Sequence, residues 1–148
     1  MLRAIGLLFL LLACAMANAQ PVARSESGRI ELLNADRGEY DDRIAPGAQR
    51  LKGNVRFKHR DVLLRCDSAY LYKDQLVRAF GNVTIDQGDT LHIQADRALY
   101  NGNDRTARVE GNVLMRNSDM VLTTPALDHD LRNGHAVYTT GGRIESNK

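Results

Sequence analysis

The feature that most limits how this chain can fold is a repeat of about 30 residues, a period typical of repeat architectures. The triplet Gly-Asn-Val begins at Gly53, Gly81 and Gly111, with spacings of 28 and 30 residues, and a degenerate copy begins 30 residues later at Gly141. Self-similar units of this length bury their apolar faces by stacking on one another. The repeat therefore predicts one domain of about four stacked units.

A second motif lies between the triplets. Ala35–Tyr40 matches Ala95–Tyr100, Cys66–Tyr70 is a third copy, and Thr124–Asp128 is a worn fourth copy. Each unit carries two motifs separated by polar segments rich in Gly, Asn and Asp, which favour turns. Each unit is thus expected to be a pair of strands.

Inside each unit, apolar and polar residues alternate with a period of two. Residues 77–85 and 107–115 both show this pattern through the Gly-Asn-Val triplet, which is typical of a strand with one buried face. The pattern predicts an all-β fold with about eight or more antiparallel strands. No mature helix longer than a turn or two is expected.

Glycine in the middle of a strand weakens it and often marks a bulge or bend. Because the glycine returns at the same register in each unit, the kinks should stack and fold the sheet over on itself. Two facing walls would result, joined along one side and lined by the inward residues. The alternative, that these are ordinary turn glycines, fits poorly because alternation continues on both sides of Gly81 and Gly111.

The predicted inward set is mostly aliphatic and can serve either as an ordinary core or as a groove for lipid. The register near residues 120–127 is open by one position, so that Val121 could replace Leu122. The set comprises Leu51, Val55, Phe57, Val62, Leu64, Val77, Val83, Ile85, Leu91, Ile93, Val109, Val113, Met115, Leu122 and Val137.

Composition and motifs argue against several function classes. The formal net charge is +2 and the charges are interspersed, whereas a nucleic-acid partner needs a concentrated basic face. His59, His92, His129 and His135 do not have the spacing of metal ligands, and no phosphate loop or nucleophile motif is present. We therefore expect no metal, no cofactor and no nucleic-acid partner.

Three aspartates, Asp36, Asp67 and Asp96, recur in register, so a glycosidase-like carboxylate pair is conceivable. A catalytic pair is normally unique, and a carboxylate that returns in every unit indicates a structural or rim position. We predict no catalytic residues and no enzyme. Cys66 lies in a strand-like stretch, where a buried thiol acting as a small apolar side chain is expected.

The N-terminus has the features of a secretory signal peptide. Arg3 precedes an apolar run over residues 4–13, and Ala17-Asn18-Ala19 forms a small-residue cleavage site. A lipoprotein-like box ending at Cys14 is a weaker alternative. The expected organisation is a cleavable signal at 1–19, a flexible leader at 20–28, the β domain at 29–145 and a tail at 146–148, in an exported, periplasmic protein.

The triplet, followed about 15 residues later by Ala-Asp-x-x-x-Tyr, resembles the repeats of the OstA-like family, which includes the LptA type of periplasmic lipopolysaccharide transport protein. The resemblance spans roughly residues 30–145. It implies a folded-over antiparallel β-jellyroll (a β-taco) whose interior carries the acyl chains of lipopolysaccharide. Lipid A is the implied ligand, and the inward set the implied lipid-binding residues.

The sheet should also have two open edges, formed by residues 29–34 and 135–145. Ile30, Leu32, Val137 and Ile144 are the edge residues expected to recruit another strand. If each repeat adds one strand to each wall, four repeats span only about 20 Å. This reach predicts assembly with a second copy, head to tail, or with a related OstA-like domain of an envelope transport complex.

Two other functions stay open at this point. A structural β-repeat envelope protein that binds no lipid would have the same alternation, with a dry and fully packed interior. A glycan-binding module is disfavoured because the chain contains no Trp.

Overall fold

Ten β-strands follow one another in the computed structural model, which describes residues 28–147. No helix occurs among these residues, so the predicted all-β class and strand number are confirmed. The predicted signal peptide, Cys14 and most of the leader lie outside the described residues, while Ser146, assigned to the tail, ends the last strand. The strands are β1 (Glu31–Asn34), β2 (Arg37–Tyr40), β3 (Gln49–His59), β4 (Val62–Tyr72), β5 (Leu76–Gln87), β6 (Leu91–Asn101), β7 (Thr106–Asn117), β8 (Met120–Asp130), β9 (His135–Val137) and β10 (Arg143–Ser146).

All strand pairs are antiparallel, and neighbours in sequence are neighbours in the sheet from β3 to β8. β1 and β2 both pair with β3, one after the other, and β9 and β10 both pair with β8. The sheet therefore has eight strand positions, which span roughly 35 Å at the usual strand spacing. The expected reach of 20 Å was wrong because both strands of each repeat, and not one, contribute to both walls.

Each long strand changes register near its middle. The shifts fall at Gly53-Asn54 in β3, Gly81-Asn82 in β5 and Gly111-Asn112 in β7. These bulges divide the sheet into two halves. Wall A comprises residues 55–66, 83–95 and 113–124 with β1 and β10, and wall B comprises residues 49–52, 68–80, 97–110 and 126–130 with β2 and β9. The predicted mid-strand kink is confirmed.

The two walls meet again on the side away from the kinks. The wall A turns at residues 60–61, 88–90 and 118–119 form rim A, and the wall B turns at 73–75, 102–105 and 131–134 form rim B. His59 of wall A contacts Tyr100 of wall B, and the Gln87 amide donates to the carbonyl of Leu131. We call the line where the rims meet the seam.

The walls are offset along the stacking direction. His59 ends β3 but contacts β6, and Gln87 ends β5 but contacts the residue after β8. Each strand of wall A therefore faces the wall B half of a strand three positions further along. The offset leaves the first strands of wall B and the last strands of wall A without a facing strand.

In the described part of the chain, no helix is long and apolar enough to cross a membrane.

Candidate functional site

The three kinks share one local structure. At each, glycine and asparagine both adopt positive φ, with values of 78° and 45° at Gly81 and Asn82. The side-chain amide of Asn82 donates to Oδ2 of Asp67 on the preceding strand, at 2.8 Å. Asn54 with Asp36 and Asn112 with Asp96 repeat this bond at the same distance. Asparagine suits the position because it tolerates left-handed backbone and supplies the donor.

Glycine is required at the kink for two reasons. Its φ of +83° at Gly111 is one that other residues adopt with strain. A Cβ on Gly111 would also lie 2.6 Å from Oδ2 of Asp96, well inside van der Waals contact. The carboxylate thus occupies the space that a side chain would need, and the Gly, Asn and Asp of each unit form one bend.

The recurring aspartates are therefore structural. Asp67 and Asp96 are exposed, lie on strands β4 and β6 with β5 between them, and each accepts a hydrogen bond from an asparagine. Nothing in this arrangement pairs two carboxylates. In the described residues no group of three or more His, Cys, Asp or Glu side chains is placed to hold a metal ion.

The inner face of wall A carries a continuous row of large apolar side chains, one from each strand position. We call it the apolar ladder. Its central members are buried, whereas Leu32 and Ile144 at its two ends are 39% and 53% exposed. In sheet order the ladder comprises Leu32, Phe57, Leu64, Ile85, Ile93, Met115, Leu122 and Ile144.

The corresponding inner row of wall B is built from smaller side chains. We call it the alanine row, because its central residues are Ala69, Ala79 and Ala98, in direct register with one another. Leu51 extends it at one end, and two further aliphatic residues, Val109 and Leu127, at the other. All six are buried. The inner side chains of wall A are thus larger than those in the middle of wall B.

Fourteen of the fifteen residues predicted to point inward are buried, each with at most 8% of its surface exposed. Leu122 lies inside and Val121 does not, which settles the register left open by the sequence. Val137 is the exception, with 43% exposure. It pairs with the exposed Asp128, so it faces outward, and the inward residue of β9 is Ala136.

The predicted edge residues lie at the two ends of the sheet, but not all within strands. Leu32 and Ile144 belong to β1 and β10. Ile30 precedes β1, and its backbone N–H donates to Oε1 of Gln75 on rim B at 2.7 Å. Ile30 therefore folds across the end of the interior and is not free to pair with another strand.

Several interior residues were missed at the sequence level. Tyr100 is 2% exposed, and its hydroxyl lies 2.6 Å from Nδ1 of the equally buried His59. Burial raises the pKa of Tyr100 to about 12 and lowers the pKa of His59. His129 is also buried, with a lowered pKa from the same cause and no hydrogen-bond partner for Nδ1 among the described residues. Continuing the alternation from Ala98 would have found Tyr100.

Cys66 is a free, buried thiol, as predicted. Burial raises its pKa to about 12, so it stays protonated and behaves as a small apolar side chain.

The interior is reached from the end of the sheet at β1 and β2. A cleft of about 450 Å³ opens there between these strands and β3. It is lined by residues that include Leu32 of the apolar ladder, Leu51 of the alanine row and the exposed Tyr40.

A known solved structure has the same fold. LptH, described as the LptA-homologous periplasmic component of the conserved lipopolysaccharide transport device from Pseudomonas aeruginosa, superposes with a TM-score of 0.67 at 16% sequence identity. The match covers 81% of this chain and 96% of that one. At this identity the likeness shows the fold, and the predicted folded-over antiparallel β-jellyroll is confirmed.

Two further comparisons concern sequence. No match was found among curated proteins. The model of the OstA-like protein family matches residues 27–148, which is most of the chain and includes every kink, both walls and the seam. The chain therefore belongs to the OstA-like family.

Proposed function

We propose that this protein is a non-enzymatic periplasmic carrier that holds the acyl chains of lipopolysaccharide between its two walls during transport to the outer membrane. The observation that carries the proposal is the apolar ladder, which runs without interruption through all eight strand positions and is exposed at both ends. An ordinary closed core would have no reason to leave its ends exposed. Family membership and the name of LptH point to the same class of ligand.

The architecture allows the walls to part without unfolding. They are joined by backbone at the kinks, whereas at the seam no backbone–backbone hydrogen bond joins the two walls among the described residues. Movement about the kinks would uncover the alanine row, whose small side chains leave room for a chain of methylene groups. Each buried CH₂ contributes about 0.8 kcal/mol, so acyl chains can replace the contacts that the walls lose on opening.

The test is photo-crosslinking in cells from one inner and one outer position of the same strand. A photoreactive residue at Leu91, buried at the rim end of β6, should crosslink to lipopolysaccharide, while one at Gln94, on the outer face, should not. Circular dichroism of each purified variant verifies the fold. Crosslinks from Gln94 alone, or a purified native protein whose mass spectrum contains no lipid, would favour the structural protein that binds no lipid.

We also propose that the protein assembles end to end, with a second copy or with a related OstA-like domain. The three-strand offset leaves the first strands of wall B and the last strands of wall A without a facing strand, although inner residues there, such as Leu51 and Leu122, are buried. Each end also presents an exposed ladder residue, Leu32 or Ile144, on a strand with one neighbouring strand in the described part of the sheet, and such an edge can accept a further strand. A stack would extend the apolar ladder beyond the roughly 35 Å of one molecule.

Ile144 and Val137 provide a matched pair for this proposal. Both are exposed apolar residues of the same edge, but Ile144 continues the apolar ladder and Val137 faces outward. Ile144→Asp should shift sedimentation toward the monomer, because a charge would be buried in the joint, whereas Val137→Asp should not. Equal behaviour of both variants and the parent across concentrations would contradict end-to-end assembly.

A further inference from the structure

The middle of the seam is held by an ion pair that is only half formed. Asp61 of rim A accepts from Nη2 of Arg105 on rim B at 2.6 Å, through Oδ1. Its other oxygen, Oδ2, accepts from the Gln87 side-chain amide at 3.0 Å, and the same amide donates to the Leu131 carbonyl. Nε of Arg105 is buried and has no hydrogen-bond partner among the described residues. Asp61 therefore uses one of two donors on the facing edge of the guanidinium.

Two other arginines of the chain show what a complete pair looks like. Arg43 donates from Nε and Nη2 to the two oxygens of Asp41, at 2.9 and 3.1 Å. Arg132 does the same with Asp130, at 3.2 and 3.0 Å. Such two-point pairing is the geometry in which a guanidinium binds a carboxylate or phosphate best. Arg105 lacks it because Gln87 holds the second oxygen of Asp61.

The two partners also differ in their access to water. The Asp61 side chain is 54% exposed and that of Arg105 is 21% exposed. An exposed carboxylate that leaves the pair is readily hydrated, whereas the enclosed guanidinium keeps an unpaired buried donor, which is costly. Asp61 is therefore the replaceable partner and Arg105 the fixed one.

The surroundings favour an anion. Besides burial, the positive charges of Arg60 and Arg105 affect the pKa of both His59 and Tyr100, and both charges lower it. Arg60 is next to Asp61 in the sequence. Burial lowers the pKa of His59, so its ring is neutral at pH 7. Two guanidinium groups and one carboxylate, that of Asp61, thus lie around the buried His59–Tyr100 pair at this point of the seam.

The seam is also where a polar head group must lie if acyl chains occupy the interior. On the opposite side the strands run continuously through the kinks, so the backbone closes that side. Between the two ends of the sheet, the seam is the line along which a head group can remain in water while its chains lie between the walls. Arg105 is located on this line.

We propose that a phosphate monoester on the head group of the bound amphiphile replaces Asp61 at Arg105 and thereby parts the rims. The proposal rests on the proposed function, since the phosphate arrives with the acyl chains. Its oxygens can accept from both Nε and Nη2 of Arg105, which Asp61 does not. Loss of the Asp61 contact removes an ion pair that bridges the two rims, so head-group binding and opening of the seam are one event.

The experiment compares three probes on the intact mature chain at constant ionic strength: lipid A with its phosphates, the same lipid A after enzymatic removal of the phosphates, and inorganic phosphate. Binding is measured for the parent, Arg105→Gln, Asp61→Asn and Arg65→Gln. Arg65 is the matched control, because it donates to Asp86 at 2.9 Å but lies on the outer face of wall A. The readout is the ratio of the affinities for phosphorylated and dephosphorylated lipid, which is insensitive to the fraction of folded protein.

We expect the parent to prefer the phosphorylated lipid by roughly tenfold, the usual effect of one charged hydrogen-bonded contact. Arg105→Gln should abolish this preference, Asp61→Asn should increase it, and Arg65→Gln should leave it unchanged. Equal affinity for both lipids in the parent and in every variant would overturn the proposal and leave acyl binding intact. If neither lipid binds, the proposed function itself fails. Inorganic phosphate binding at Arg105 as tightly as the phosphorylated lipid would identify a free-phosphate site and overturn the head-group assignment.

Discussion

The first three kinks and the last unit of the repeat form the bend with different residues. At Gly53, Gly81 and Gly111 an asparagine reaches an aspartate, which lies between β1 and β2 in the first case and on the preceding strand in the other two. In the last unit, Pro125 occupies the place of the aspartate and Gly142 the place that the repeat assigns to the asparagine. Both partners of the hydrogen bond are absent from the last unit, which indicates that the aspartate and the asparagine are needed as a pair.

The last unit lies at one edge of the sheet. β9 and β10 pair with the two ends of β8 and leave its middle without a strand on that side. There the Thr124 hydroxyl donates to the Gly141 carbonyl at 2.6 Å, and Pro125 has no N–H that would need a partner. The first kink also lies at an edge, beside the gap between β1 and β2, and keeps the asparagine–aspartate bond, so the last unit alone replaces that bond with local hydrogen bonds.

The largest expected difference between the regular kink and the last unit is the stability cost of adding a methyl group to the glycine of each. Gly111 and Gly141 have nearly the same φ, +83° and +80°, but a Cβ would meet Asp96 at the first and nothing within 4 Å at the second. Gly141→Ala should cost about 1 kcal/mol for the backbone conformation alone. Gly111→Ala should cost about 2–3 kcal/mol, because the displaced Asp96 also loses its bond to Asn112.

Urea unfolding measures both variants by their midpoints at constant slope. Equal losses for Gly111→Ala and Gly141→Ala would show that the aspartate yields without cost. The kink would then depend on backbone conformation alone, and the asparagine–aspartate bond would make no difference to the free energy of unfolding.

A second contrast lies in one inner row of wall B, where Tyr100, Ala107 and His129 are in register. Tyr100 has His59 as a partner, whereas Nδ1 of His129 has none among the described residues. Burial lowers the pKa of His129, so below pH 6.5 the unfolded chain binds a proton that the folded chain does not. Stability should therefore fall as the pH drops through the ordinary histidine range.

His129→Leu should remove part of this acid sensitivity. Between pH 7.5 and 5 the parent should lose about 1 kcal/mol more than the variant, measured by urea unfolding at each pH. Met120→Leu, which changes no titratable group on the strand that carries His129, is the control and should keep the parent's pH dependence. Parallel pH profiles for the parent and His129→Leu would show that His129 takes up its proton as readily in the folded chain as in the unfolded chain.

Local patterns were sufficient to predict the strands, the kinks and most of the inner face, because alternation and a repeated glycine report on each strand and its neighbours. The seam was not predictable in this way. Contacts such as His59 with Tyr100 join residues 41 positions apart and depend on the three-strand offset of the walls, which no local pattern encodes. The outward direction of Val137 was missed for a related reason, since a three-residue edge strand offers too little alternation to set its phase.

The smallest effect tests the register of the last unit. Thr123 pairs with Arg143, as Gln94 pairs with Leu114 at the third kink. Two residues further toward the bend, Asp96 lies opposite Asn112, and by the same count Pro125 lies opposite Gly141.

The repeat in the sequence instead aligns Asn112 with Gly142. A Cβ on Gly142 would point toward Leu122 and Tyr138, at 3.2 and 3.1 Å, whereas one on Gly141 would meet open space. The structure and the sequence motif therefore disagree by one residue about where an asparagine could reach an aspartate placed at position 125.

Double-mutant cycles decide between them. Pro125→Asp combined with Gly141→Asn should show a favourable coupling of about 0.5–1 kcal/mol, the size expected for one exposed hydrogen bond to a carboxylate. Pro125→Asp combined with Gly142→Asn should show none. Asparagine tolerates the positive φ of Gly141, so the single change there is mild and the cycle is measurable. Coupling at position 142 alone would mean that the last unit keeps the register of the other three, and that its bend differs from theirs only in the side chains.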